Sequence, residues 1–126
     1  MSIRDIQPAL AKMFEPVQKP KIKFNHQENI FDDYARELLI PHKMSSFGPA
    51  LSKADLNKDG VDDMFFGGAK GQASQLWLSV TDSTFQISPI SNSEQEDVSA
   101  VFTDINRDGH LDLLIASGGN EVDNIQ

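Results

Sequence analysis

Two nonapeptides of one design hold the residues best suited to chemistry in this chain. Asp55-Leu56-Asn57-Lys58-Asp59-Gly60-Val61-Asp62-Asp63 reads D-x-N-x-D-G-x-x-D, and Asp104-Ile105-Asn106-Arg107-Asp108-Gly109-His110-Leu111-Asp112 repeats it 49 residues later. Each copy puts oxygen-bearing side chains at positions 1, 3, 5 and 9 and glycine at position 6. A calcium ion takes about 6–8 oxygen ligands from carboxylates, amide and backbone carbonyls, and water. The candidate ligands are Asp55, Asn57, Asp59 and Asp63 in the first copy and Asp104, Asn106, Asp108 and Asp112 in the second, with the backbone carbonyls of Val61 and His110 at position 7. Glycine at position 6 permits a sharp reversal at positive φ, where a side chain would clash. Two carboxylates 4 Å apart repel by about 4 kcal/mol at an effective dielectric of 20, so three of them around one point favour a cation. A lone D-x-N-x-D-G is also ordinary turn chemistry, since Asp, Asn and Gly all suit turns without a metal. Duplication at identical spacing, with an apolar run after each copy, is what favours two calcium sites.

These loops are not EF-hands. That motif needs a bidentate Glu at position 12 of its loop, where this chain has Phe66 and Ile115. A dockerin-like pair fails on the same position. An EF-hand loop also lies between two amphipathic helices. Here the loops lead into Met64-Phe65-Phe66 and Leu113-Leu114-Ile115, short apolar runs that suit buried strands.

Turn residues divide the chain into elements that could position the loops. Residues 1–20 carry Ile3, Ile6, Leu10 and Phe14 at helical spacing, limited by Pro8, Pro16 and Pro20. Lys21 to Phe24 alternates as a strand would. Residues 26–46 read equally well as a short helix, with Asp32 and Asp33 in its first turn and Phe31, Tyr34, Leu38 and Leu39 on one face, or as a loop. From residue 50 the pattern is β throughout. Ala50 to Ala54 precedes the first acidic loop, Met64 to Phe66 follows it, and Gln75 to Val80 and Thr84 to Ile87 complete a meander. Asp97 to Thr103, the second loop and Leu113 to Ala116 restart it in register. The organisation is thus an N-terminal segment at 1–20, a lead-in at 21–49, a first blade at 50–90 and a shortened second blade at 97–126. Repeated units of four antiparallel strands build β-propellers. The expected fold class is mainly β, a propeller fragment with a calcium loop between the first two strands of each blade.

The chain has 126 residues, 39% of them hydrophobic, and a net charge of −8. That length supports one domain with a core. Much of the negative charge lies in the two loops, where bound cations would offset it. An acidic chain is a poor match for nucleic acid, which demands clustered Lys and Arg. No cysteine is present, which removes thiolate metal sites and nucleophiles. No run approaches the ~20 apolar residues of a membrane span, and the first residues do not form a signal peptide.

Phe66-Gly67-Gly68-Ala69 after the first loop resembles the FG-GAP signature of integrin-α-type propellers and the related VCBS repeats. A wider set is similar to bacterial surface and periplasmic proteins of the ASPIC/UnbV type. It comprises His26-Gln27-Glu28-Asn29, Leu38-Leu39-Ile40-Pro41-His42, Gly48-Pro49-Ala50-Leu51, Gly67-Gly68-Ala69-Lys70-Gly71-Gln72 and Ser117-Gly118-Gly119-Asn120-Glu121. The resemblance runs from about residue 22 to the end and implies that the acidic loops bind calcium. One departure stands out: Ala116-Ser117 replaces the Phe-Gly pair in the second repeat.

An active site is not expected. His26, His42 and His110 have no spacing that suggests a catalytic pair or zinc motif, and Ser45, Ser46 and Ser117 lack a nucleophile-elbow context. Glycoside chemistry needs two free carboxylates, but most candidates here are better used as ligands. Gly67 to Gly71 lacks the Lys-Ser/Thr ending of a phosphate loop. Trp77 reads as core. The leading function is a calcium-binding, non-catalytic binding or scaffold module of an exported bacterial protein. The alternative is a non-catalytic portion of an exported carbohydrate-active hydrolase or lyase. The implied partners are calcium and a protein or glycan ligand, with no nucleic acid and no membrane span. A shortened second blade would leave an open sheet edge through which chains could associate. Extracellular calcium modules bind at about 10⁻⁴–10⁻³ M, so the expected location is periplasmic, cell-surface or secreted.

Overall fold

A computed structural model describes residues 14, 22–45, 48–81, 84–90 and 94–118. The expected N-terminal helix and the Gly119-Asn120-Glu121 block lie outside the described residues, Phe14 aside. One helical turn, α1 (Asp33–Arg36), precedes six strands: β1 (Leu51–Ala54), β2 (Asp63–Phe66), β3 (Gln75–Thr81), β4 (Thr84–Pro89), β5 (Glu96–Thr103) and β6 (Asp112–Gly118).

β1 to β4 form one antiparallel sheet in chain order, and β5 pairs with β6 in a second. The repeat seen in the sequence is a repeat of structure. Ala54 lies opposite Asp63 and Thr103 opposite Asp112, so each acidic loop closes a hairpin between the first two strands of its unit. The mainly β architecture is that of a β-propeller segment, with one four-stranded blade and the leading hairpin of another.

Alternation explains the packing. Phe65 is fully buried on one face of β2, while Phe66 on the other joins an aromatic row. Phe24 stacks on Phe66 at 4.8 Å between ring centres, Phe66 meets Trp77 edge-on at 5.3 Å, and Trp77 lies 5.7 Å from Phe85. The last two pairs run diagonally across neighbouring strands, within reach of large rings. Each contributes about 0.5–1.5 kcal/mol beyond its buried area. The reading of Trp77 as core is borne out: it is 5% exposed.

The strand expected at Lys21 to Phe24 is not seen over its described part: residues 22–30 have no regular structure. Their backbone is engaged by a side chain instead of a ladder. Gln72 donates from Nε2 to the Asn25 carbonyl at 2.8 Å and accepts from the Gln27 N–H at 2.9 Å, while Phe24 is held by stacking. Of the expected segment 26–46, the described residues 26–45 are mainly loop with the single turn α1. Asp32 caps that turn by accepting from the Tyr34 N–H, as its position in the sequence suggests. The turn ends at Glu37, because Leu38 and Leu39 find nothing to pack on and stay 82% and 97% exposed. Buried Asp33 closes the loop by accepting from the backbone of Met44 and Ser45 and from the Ser45 hydroxyl.

The two units meet along β1 and β5. Ala50 N–H donates to the Asp97 carbonyl and Asp97 N–H to the Gly68 carbonyl, both at 3.0 Å. The Asp97 carboxylate, 2% exposed, takes hydrogen bonds from the hydroxyls of Ser74 and Ser117. One buried aspartate therefore links the Gly67-Gly68 turn of the first unit to the last strand of the second.

Candidate metal sites in two acidic loops

The first loop is built by its own carboxylates. Asp55 Oδ1 accepts from the Asp59 N–H at 3.0 Å and Oδ2 from the Gly60 N–H at 2.9 Å. Asn57 Oδ1 accepts from the same Asp59 N–H at 3.0 Å, and its amide donates to Asp59 Oδ2 at 2.8 Å. Asp59 Oδ1 accepts from the Val61 N–H at 2.8 Å. Asp63 reaches back to the Leu56 N–H at 2.8 Å.

The second loop repeats these bonds one for one. Asp104 accepts from Asp108 and Gly109 N–H groups at 3.1 and 2.9 Å. Asn106 accepts from the Asp108 N–H at 3.0 Å and donates to Asp108 Oδ2 at 2.9 Å. Asp108 accepts from the His110 N–H at 2.8 Å, and Asp112 from the Ile105 N–H at 3.0 Å. Backbone angles repeat as well: φ is +87° at both Gly60 and Gly109, the conformation expected of them. Position 4 is also left-handed, at +61° for Lys58 and +64° for Arg107. That second reversal at a non-glycine residue was not evident from the sequence.

All eight predicted side-chain ligands thus sit in two equivalent loops, with Val61 and His110 at position 7 of each. Asp62 at position 8 points elsewhere and pairs with Lys53 of β1 at 2.5 Å. The hydrogen bonds modify the expected electrostatics. Backbone N–H groups take up much of the carboxylate repulsion, so the loop closes through its own donors. The donor set still fits calcium, because an ionised carboxylate has about four acceptor positions and each of these Asp side chains uses only part of that capacity. The group of His, Asp and Glu ligand atoms that lie within 4.8 Å of one another is found elsewhere among the described residues, at His26, Glu28 and Glu96.

Asp59 and Asp108 are held below the ordinary aspartate range. The first cause is the backbone N–H of Val61 or His110, the next the amide of Asn57 or Asn106; for Asp108, the charges of His110 and Lys58 add to it. A lowered folded value stabilises the protein above the unfolded value of about 3.9, and that stability is lost as pH falls through the folded value. Metal-free stability should therefore decline below about pH 4. In denaturant titrations from pH 5 downward, Asp59→Asn and Asp108→Asn should each flatten that decline. Parallel slopes in wild type and both variants would refute the assignment.

Sequence reasoning missed Ser79. Its N–H donates to Asp63 Oδ1 at 2.6 Å and its hydroxyl to Asp59 Oδ2 at 3.1 Å, so β3 buttresses the first loop. Ser79 is 4% exposed and shares a face of β3 with Gln75, Trp77 and Thr81, a mostly polar set in which no sequence signal singles it out. Lys58 is the other omission. Its Nζ donates to the Gly109 carbonyl at 2.9 Å and joins the two loops directly.

Residues 55–115 match the family model of the FG-GAP-like repeat. Neither a curated protein nor a solved structure matches the chain. The match opens at the first candidate ligand of the first loop and closes in β6, so it spans both loops and the strands β2 to β5 between them. Residues 55–115 of this chain carry an FG-GAP-like repeat.

Proposed function

We propose that this chain is a calcium-binding segment of a β-propeller, acting as a non-catalytic binding or scaffold module of an exported protein. One observation carries the reading: two loops with oxygen donors at the same positions repeat each other bond for bond and abut through Lys58. Calcium, when bound, would supply charge neutralisation and a rigid centre for each hairpin. Asp55, Asn57, Asp59 and Asp63 would hold one ion, and Asp104, Asn106, Asp108 and Asp112 the other, with the carbonyls of Val61 and His110. Three carboxylates per loop suit the weak extracellular class of site, at about 10⁻⁴–10⁻³ M, which fills only where free calcium is high. Export follows from that affinity. A protein or glycan partner would bind the propeller through loops drawn from several blades. The non-catalytic role rests on the FG-GAP-like repeat and on the commitment of the loop carboxylates to ligation.

Calorimetric titration of the chelator-stripped chain tests this. Two calcium equivalents are expected. Ser79→Ala should weaken one of them about tenfold or more, because it removes the hydroxyl bond to Asp59 and a hydrogen bond to a charged group contributes about 1.5–3 kcal/mol when intact, and leave the other unchanged. No heat of binding at millimolar calcium, or equal weakening of both sites, would count against the assignment.

A further inference from the structure

His26, Glu28 and Glu96 lie outside both acidic loops, and each offers a ligand atom within 4.8 Å of the other two. They come from distant parts of the chain. His26 and Glu28 belong to the lead-in, and Glu96 opens β5 in the second unit. We propose that these three residues form a further metal site, for a borderline divalent transition ion such as Zn²⁺, which clips the lead-in segment to the start of β5.

The chemistry of the donors separates this site from the loops. An imidazole nitrogen is a poor partner for calcium, which prefers oxygen, and suits zinc and its neighbours. One nitrogen and two carboxylates leave a position for water in a four-coordinate shell, the pattern of zinc sites with three protein ligands. Tetrahedral ligands at zinc distances stand about 3.3–3.5 Å apart, so small side-chain movements within the 4.8 Å group would close the shell.

Charge points the same way. His26 Nε2 lies 2.8 Å from Glu28 Oε1, and Glu96 is only 2% exposed. A divalent ion would be attracted by both carboxylates. His26 Nδ1 is buried and makes no hydrogen bond, as is Asn29 Oδ1 one residue beyond Glu28. The segment is also held in advance of binding. Gln72 bonds the backbone at Asn25 and at Gln27, the residues either side of His26. A ligand fixed in this way loses little freedom when it binds.

The test uses the full chain, stripped with chelator and dialysed into about 10 mM calcium, at least roughly tenfold above the expected dissociation constants, so that the acidic loops are filled. Zn²⁺ is titrated by calorimetry and Co²⁺ by its visible d–d absorption. One equivalent of each is expected, with Co²⁺ bands of a low-coordinate site. His26→Gln and Glu28→Gln should each weaken binding at least tenfold, since loss of an outer-shell partner alone costs about 10–100-fold. Glu28 is exposed, so Glu28→Gln should keep the fold, and circular dichroism verifies this. Glu28→Gln that stays folded and binds Zn²⁺ as tightly as wild type overturns the proposal. So does the absence of a saturable equivalent, or displacement of Zn²⁺ by added calcium, which would place the ion in the loops.

Discussion

In about 10 mM calcium, roughly 100-fold above a dissociation constant of about 10⁻⁴ M, the chain should melt well above its midpoint in chelator. Binding to the folded state alone stabilises by about 2.7 kcal/mol per site when free calcium exceeds the dissociation constant 100-fold. With two sites that is roughly 5 kcal/mol, comparable with the whole stability of a marginal domain. For a chain of this size each kcal/mol moves the midpoint by about 3–5 °C, so a rise of roughly 20 °C is the upper expectation. Each ion would hold the ends of a hairpin together, at Ala54 opposite Asp63 and at Thr103 opposite Asp112. Magnesium should give a much smaller rise, because it demands near-ideal octahedral geometry and retains its water. An identical midpoint in calcium and in chelator would refute structural calcium.

Variants locate the effect. Asp59→Ala and Asp108→Ala should each remove about half of the calcium-dependent increment. The Lys58 to Gly109 bond joins the loops, so the two losses need not add. Asp62→Ala should leave the increment intact, since this side chain faces Lys53 on an exposed surface. Its ion pair contributes at most about 1 kcal/mol. If Asp62→Ala abolished the calcium response, the ligand pattern would be wrong at position 8.

The acidic loops and strands were legible because their information is local. Position 6 takes glycine for the turn, the loop carboxylates bond the loop's own backbone, and Phe65 must alternate with its neighbours to be buried. What stayed hidden depends on partners far along the chain. Ser79 looks like an ordinary strand residue until the loop carboxylates are placed beside it. Asp97 looks like a solvated charge at a strand start, yet it is buried between the hydroxyls of Ser74 and Ser117. The alternation at Lys21 to Phe24 is a strand pattern, but side-chain contacts from Gln72 and Phe66, rather than a sheet edge, hold residues 24–27. The His26, Glu28 and Glu96 group was invisible for the same reason: sequence spacing cannot bring residue 96 next to residue 26.

Gly68→Ala should be the most damaging single methyl addition among the described residues. A Cβ at Gly68 would stand 2.0 Å from the carbonyl oxygen of Gln72 and 2.8 Å from its carbon. Both are backbone atoms, and the Gln72 N–H is itself bonded to the Ala69 carbonyl, so the turn cannot yield by rotating a side chain. The same glycine donates its N–H to Ser74 Oγ at 2.8 Å and offers its carbonyl to the Asp97 N–H. Opening the turn therefore also strains the junction with the second unit and the Gln72 clamp on the lead-in. Overpacking costs about 1–3 kcal/mol and occasionally more, and the backbone clash places this substitution at or above the upper end. Gly67→Ala should follow, since its Cβ would meet the Asp97 carbonyl at 2.8 Å and Ala50 at 2.9 Å. Gly118→Ala is the control: nothing lies within 4 Å of the added methyl, and its effect should be within about 0.5 kcal/mol, as for other unencumbered surface changes. Denaturant melts of the three variants in saturating calcium give the order directly. If Gly68→Ala unfolded at the same denaturant concentration as Gly118→Ala, the tight turn that joins the two units would not exist in solution.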